Sequence, residues 1–394
     1  MNNLIKSKIT KLVYRSTGII IPGIYIFQFD ASRHHAEGLS YIMVDMTVKF
    51  IAGWLLILLP YHVAPVALSL DDKPRGVYCT PPELKEGAWI RRNKTSKTYV
   101  CCGDGGDYQD PEIKQLCVDG PIFRDHGCIC DEFQHTRLDV SERENWIWKP
   151  SANCDIMDWS PITFCNLLGT RKVLFVGDST MEQTYGAFVS MLKWSANGTS
   201  CASQLSKRRI EGRLDNTGLE DIKTDFAIHK RDIIIAGFGA HYTHFGLNFT
   251  LFEDHMKELL ILYSNLKRIH KDLQFVWKTN NPGHINCDNS SVAIIPPLQD
   301  EKTDKYHWRY FPQYDDIFHR ISKDMNLDSE IHTLNVQALY LRPDSHPGKL
   351  AWDWIRRSNG DCLHFCAPGA LDLIPILFIH SMLYNFSMSV PSVL

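Results

Sequence analysis

Beyond residue 170 the chain alternates short apolar runs with stretches in which apolar residues recur at helical spacing. Lys172–Gly177 (KVLFVG), Asp232–Gly237 (DIIIAG), Leu273–Lys278 (LQFVWK) and Ile331–Val336 (IHTLNV) read as strands buried on both faces. Between them, Met181–Lys193, Leu251–Lys271 and Tyr314–Lys323 read as helices. Strands that stay apolar throughout and alternate with helices predict a mostly parallel sheet covered on both sides, a three-layer α/β/α domain.

The upstream pattern differs. Phe50–Leu70 (FIAGWLLILLPYHVAPVALSL) is an apolar run of about 20 residues without a charged side chain, long enough to span a bilayer despite Pro60 and Pro65. As a single-pass anchor it would leave residues 1–49, which are net positive, on the cytoplasmic side. As a signal peptide it would use Lys49 as n-region, IAGWLLILL as h-region and a cut near Ala67-Leu68-Ser69, with Met43 or Met46 as the working start. Gly18–Phe29 is apolar too, but it is broken by Pro22 and too short to span. Residues 71–165 are rich in turns and hold Cys79, Cys101, Cys102, Cys117, Cys128, Cys130, Cys154 and Cys165, which predicts a disulfide-stapled region. Asp104, Asp107 and Asp110 lack the spacing and distal Glu of a calcium loop and read as a solvated turn. The expected division is therefore 1–49 leader or cytoplasmic segment, 50–70 anchor or signal, 71–165 cysteine-rich region and 166–394 catalytic domain.

Composition narrows the function classes. With 22% charged and 44% hydrophobic residues in 394, neither a disordered chain nor a multi-span membrane protein fits. A net charge of −3 without a basic stripe argues against nucleic-acid binding. All the cysteines lie at or after Cys79, and so do the N-x-S/T sequons at Asn93, Asn197, Asn248, Asn289 and Asn385. That agreement points to a lumenal or extracellular body with possible N-glycans at these five asparagines.

Two constellations carry candidate chemistry. Val176-Gly177-Asp178-Ser179-Thr180 closes an apolar strand and opens a helix. A serine there emerges at the carboxyl edge of a parallel sheet, and its own N–H lies at a helix N-terminus, where a developing oxyanion is stabilised. The bland reading is an ordinary Asp/Ser helix cap. Near the C-terminus, Asp361 and His364 stand three apart, so that a carboxylate can fix the imidazole tautomer while the other ring nitrogen faces a serine. Cys362 and Cys366 offer a competing C-x-H-x-C zinc reading, although a structural zinc needs four ligands. Tyr306, Trp308, Tyr310 and Phe311 either stack on sugar rings or pack a loop.

The pairing of GDS with a late DxxH resembles the SGNH hydrolases, in detail their PC-esterase/trichome birefringence-like branch. Trp148-Lys149-Pro150 with Cys154 is similar to the branch's lead-in to the GDS strand, and Gly239-Ala240-His241-Tyr242 to its G-x-H-Y/W block. Asn281-Pro282-Gly283-His284 with Cys287 resembles P-G-H-x-x-C, and Arg342-Pro343-Asp344-Ser345-His346-Pro347 resembles R-x-D-x-H-P. Asp361–His364 with Cys366 and Pro368-Gly369 is similar to the D-C-x-H-W-C-x-P-G terminus. The likeness runs from about Trp146 to Asp372.

The resemblance implies Ser179, His364 and Asp361 as catalytic residues, and Ser179 and Gly239 N–H as the oxyanion hole. It also implies Asp178, His241, His284, Arg342, Asp344 and His346 as possible substrate contacts. The Asp178 carboxylate is better suited to bracing the turn after the strand than to joining in catalysis. The implied reaction is O-acyl transfer to or from glycans in the secretory pathway, at a Golgi membrane or in secreted form. Neither metal nor cofactor is implied; the acyl donor, an acetyl ester or acetyl-CoA, is a substrate. The chain departs from the branch in three places. Glu182-Gln183 stand where relatives carry Arg-Asn, Ile374-Pro375 replace a Trp-Asn, and the strand before Gly239 lacks an asparagine. These departures motivate the alternative of a non-catalytic glycan-binding protein on a decayed fold.

Overall fold

The computed structural model describes residues 30–36, 39–45, 78–93, 142–195, 201–210, 212–244, 246–287, 290–293, 304, 306–347 and 361–384. The chain divides into two units, Met1–Leu68 and Ser69–Leu394. In the first, strands β1 (Asp30–Ala36) and β2 (Leu39–Asp45) pair antiparallel, a hairpin the apolar pattern does not announce. The apolar run 50–70, Gly18–Phe29, the Asp104–Asp110 turn and the sequons at Asn197, Asn289 and Asn385 lie outside the described residues. Among those described, no helix is long and apolar enough to cross a membrane.

The second unit is built on a five-stranded sheet. Strand β5 (Val173–Gly177) is central to its folding logic: VLFVG is buried at every position, and β7 (Ile233–Gly237) likewise. A strand with two apolar faces must be covered on both sides. With β6 (Leu205–Arg209), β8 (Gln274–Lys278) and β9 (Ile331–Leu334) it forms an all-parallel sheet in the order β6-β5-β7-β8-β9. Helices α1 (Pro161–Leu168), α2 (Ser179–Ser195) and α7 (Leu373–Tyr384) pack on the face carrying Val173, Phe175, Ile233 and Val276. Helices α3 (Asn216–His229), α5 (Phe249–Ile269) and α6 (Phe311–Asp324) cover Leu174, Val176, Ile234 and Phe275 opposite. The short α4 (Ala240–His244) follows β7 at the carboxyl edge. The three-layer α/β/α architecture is thus as the apolar pattern predicts.

Strand β6 was not legible, because LSKRR lies at the sheet edge and only Leu205 is buried. The polar residues on an edge strand face solvent or a single helix, so no apolar run marks it.

The described parts of 71–165 share in the main core. Strands β3 (Gly87–Arg91) and β4 (Trp146–Pro150) pair antiparallel, and Trp89 and Trp148 join the cluster under α1, α2 and α7. The Trp89 indole donates to the Ala338 carbonyl at 2.8 Å. The Cys79–Cys154 disulfide is tied to α7 by the buried His380, which donates from Nδ1 to the Cys79 carbonyl and accepts at Nε2 from the Met157 N–H.

Candidate active site

The site lies at the carboxyl ends of β5, β7 and β8, where an open parallel sheet leaves a crevice between diverging loops. β5 and β7 approach closely there: a side chain at Gly177 would overlap the Gly237 carbonyl and Met181. The chain then turns straight into α2. The Asp178 carboxylate braces this turn by accepting from the Thr180 N–H at 2.9 Å and from its hydroxyl at 2.7 Å. Ser179 is therefore the first residue of the helix, and its N–H has no hydrogen-bond partner among the described residues.

Opposite stands the Asp361–His364 turn. The Ser179 hydroxyl is 2.8 Å from His364 Nε2, and His364 Nδ1 is 2.7 Å from Asp361 Oδ2. Asp361 Oδ1 accepts from the Leu363 and His364 N–H groups at 3.1 and 3.0 Å, so the carboxylate organises both the ring and the turn that carries it. Burial works against charge on His364 and Asp361 alike. Their mutual attraction and hydrogen bonds outweigh it, holding Asp361 well below the usual carboxylate range and raising His364 above its ordinary value, with Asp178 adding to the latter. In this arrangement Asp361 accepts from Nδ1–H, and Nε2 is left to take the serine proton.

Gly239 begins the loop after β7, and its N–H also lacks a partner among the described residues. A Cβ at Gly239 would overlap the Asn280 side-chain amide, which comes from the end of β8. Asn280 is fixed by Asp315, whose carboxylate accepts its N–H at 3.1 Å and its Nδ2 at 3.0 Å and also takes the Trp277 indole. An asparagine from the neighbouring strand thus packs beside the strand end that lacks one. Burial pushes Asp315 up to about 7 and Lys278 down to about 8. The Lys278 ammonium donates to Asn281 Oδ1 and the Thr279 carbonyl, within the fields of Asp178 and Asp315.

The two departures after the GDS find partners in the fold. Glu182 is ion-paired with Lys207 and Arg209 of the edge strand, the latter at 2.8 Å. Gln183 bonds the Phe365 main chain. Sequence inspection flags both positions, but their partners lie on a strand and a turn that local patterns do not connect.

The remaining candidates separate. Arg342 is fully buried: it makes two bonds to Asp344, one to the Arg143 carbonyl, and stacks on Trp89 at 4.6 Å. His284 and His346 are also buried and bond each other at 2.6 Å. Arg342, His284 and His346 are thus buried against partners within the protein, while Asp344 keeps a partly exposed carboxylate. His241 is half-buried on α4, and its carbonyl accepts from Arg213. Trp308 packs against Gly283 in a cluster with Phe311 and the Cys287–Cys362 disulfide, with Tyr306 stacked on it at 5.1 Å. That disulfide joins the P-G-H loop to the Asp361 turn, and Cys366 is disulfide-bonded too. No thiolate remains for a C-x-H-x-C zinc site, and no metal-binding cluster occurs among the described residues.

Residues 250–381, including Asp361 and His364, match the PC-Esterase family model, described as the GDSL/SGNH-like acyl-esterase family found in Pmr5 and Cas1p. Over those residues the chain is similar to PC-esterase domains. Protein trichome birefringence-like 25 of Arabidopsis thaliana is 21% identical over 341 residues, 67% of this chain and 74% of that protein. Xyloglucan O-acetyltransferase 4 of Populus trichocarpa is 20% identical over 322 residues, 65% of this chain and 76% of that protein. These relatives fit the trichome birefringence-like branch of the SGNH superfamily. Among solved structures, a Clostridium thermocellum family 3 carbohydrate esterase is similar with a TM-score of 0.33 and 12% identity, over 54% of this chain and 96% of that one.

Proposed function

We propose that this protein transfers acyl groups on glycans through an acyl-serine intermediate, with Ser179 as nucleophile, His364 as general base and acid, and Asp361 as its orienting partner. The observation that carries the reading is the continuous contact from Ser179 Oγ through His364 to Asp361, at 2.8 and 2.7 Å. The Ser179 hydroxyl attacks the acyl carbonyl while its proton passes to His364 Nε2. The Ser179 and Gly239 N–H groups hold the tetrahedral oxyanion, a contribution of about 3 kcal/mol per donor in related chemistry. As the intermediate collapses, the departing donor group takes the proton from His364. A hydroxyl of the acceptor then gives its proton to His364 and attacks the acyl-serine, and Ser179 leaves with the proton restored.

The named relatives support a carbohydrate acceptor, since one of them is a xyloglucan O-acetyltransferase. An acetyl ester or acetyl-CoA would serve as donor. Transfer to water instead of a sugar would make the same machinery an esterase. The disulfides and sequons favour a secretory setting, with residues 50–70 as anchor or signal and 71–394 as the lumenal body.

The test is intact mass of the full chain, made in a secretory host and deglycosylated, after exposure to a serine-directed fluorophosphonate and, separately, to an activated acetyl ester. One adduct on the wild type, absent in Ser179→Ala and strongly slowed in His364→Ala, is expected. Folded, disulfide-bonded protein without an adduct would leave a glycan-binding role on a decayed fold.

A further inference from the structure

We infer that His284 and His346 form a positioning unit that holds the main chain of His364 from behind, with both rings as neutral Nδ1–H tautomers. The inference rests on the catalytic reading of His364 above. Its basis is a count of hydrogens along one line of contacts. His346 Nδ1 lies 2.6 Å from the His364 carbonyl oxygen, His346 Nε2 lies 2.6 Å from His284 Nδ1, and His284 Nε2 lies 3.0 Å from the Tyr340 carbonyl oxygen. Carbonyl oxygens only accept, so the contact to His364 requires a hydrogen on His346 Nδ1. That leaves Nε2 of a neutral His346 as an acceptor, and the short inner contact requires the hydrogen on His284 Nδ1. Two neutral rings then supply two hydrogens for three contacts, and the longest contact, to Tyr340, is the one left without.

The surroundings agree with neutrality. Both rings are 2% exposed, and Phe365 packs its ring against His346 at 4.3 Å. Burial pushes His284 down to about 4, against the favourable field of Asp344 and the Tyr340 carbonyl. His346 is lowered well below its ordinary value by burial and by His284, against its hydrogen bond to the His364 carbonyl and the field of Asp361, with the charge of His364 adding to the fall. The third hydrogen therefore joins only on acidification, at His284 Nε2 facing Tyr340.

The consequence is positional. The main chain carrying the catalytic imidazole is fixed at successive polar atoms: Leu363 and His364 N–H by Asp361, the His364 carbonyl by His346, and Phe365 N–H and carbonyl by Gln183. The adjoining Cys366 N–H donates to the Ser345 carbonyl, one residue before His346. His284 acts at one remove, by holding His346 in the tautomer that donates.

Two measurements decide it. In the 15N-histidine-labelled full chain at pH 7, NMR is expected to show both rings with hydrogen on Nδ1 and none on Nε2, assigned by loss of signals in single variants. An Nε2–H tautomer or a doubly protonated ring at either position would overturn the assignment. In the second, the rate of fluorophosphonate labelling is followed against pH. His346→Asn, whose amide nitrogen can take the place of Nδ1, is expected to label within about 3-fold of the wild type, whereas His346→Ala falls about 10-fold or more at an unchanged pH midpoint. Equal labelling by the alanine variant and the wild type would sink the positioning role, as would an asparagine variant as slow as alanine. A wild type that fails to label contradicts the catalytic reading itself, while the NMR tautomers still decide the state of the histidine pair.

Discussion

Gln183, one helical turn after Ser179, exchanges two hydrogen bonds with the main chain of Phe365: its Nε2 donates to the carbonyl at 2.8 Å, and its Oε1 accepts the N–H at 3.0 Å. Phe365 directly follows His364, so the helix bearing the proposed nucleophile and the turn bearing its base are locked together 182 positions apart in sequence. The primary amide matches the pattern, since it supplies one donor and one acceptor to a backbone that needs both.

Gln183→Ala leaves the Phe365 N–H and carbonyl buried without partners. The expected cost is about 1–3 kcal/mol per orphaned group, read as a lower denaturation midpoint, with slower labelling of Ser179. Gln183→Glu keeps the acceptor but faces a carbonyl with a second oxygen. It should fall between the wild type and alanine only at pH values where the carboxyl is protonated. Alanine and wild type with equal stability and labelling would refute the lock.

Asp361→Asn retains an acceptor for the Leu363 and His364 N–H groups but no longer favours Nδ1–H on the ring. By analogy with other serine-histidine-carboxylate sites, labelling should fall by about four orders of magnitude with little loss of stability. A drop below about 10-fold would mean that the carboxylate does not set the tautomer.

The pH dependence has a definite sign. As the proposed base, His364 has to be neutral to accept the serine proton, and Asp361 raises its pKa above the ordinary value of about 6.5. The labelling rate of the wild type should therefore rise with pH and level off with a midpoint above about 6.5. In Asp361→Asn burial acts without its counterweight, so the residual activity should show a midpoint shifted down. A midpoint that stays put would contradict the charge pairing.

Lys278 offers a test that needs no activity. Its folded-state pKa is lowered to about 8 by burial, whereas an unfolded lysine titrates near 10.4. Between these values the unfolded chain holds the extra proton, so this group makes the fold more stable as pH rises through that window. Denaturant titrations at pH 7, 8, 9 and 10 should show the wild type gaining on Lys278→Met across the series. A constant difference would mean that the ammonium is not desolvated.

The Cys287–Cys362 disulfide closes a loop of separation 75 and fixes the turn that begins with Asp361. Replacing both cysteines with serine should cost about 4 kcal/mol by chain entropy. Labelling should fall by more than the stability loss explains, because Asp361 lies beside the bridge. Full-rate labelling of the folded double variant would show that the turn is held without it.

Sequence alone fixes those features whose physics is local. A strand buried on both faces must be apolar throughout, so β5, β7 and β8 announce themselves within a residue of their observed bounds, and with them the layer order. The serine at a strand-to-helix junction and the carboxylate three residues before a histidine are local too, which is why Ser179, Asp361 and His364 could be singled out. What the tertiary structure decided is everything that depends on a partner far along the chain. LSKRR becomes a strand only because β5 offers it an edge, and its Lys207 and Arg209 then receive Glu182. Gln183 and Asn280 resemble any polar residues until Phe365 and Gly239 are brought against them. Arg342, His284 and His346 carry the side chains of a binding site, yet burial gives them carbonyls, a carboxylate and each other as partners. The chemistry of a side chain can be read from its letter; whether that chemistry faces a ligand or the protein's own backbone depends on desolvation, which only the assembled fold sets.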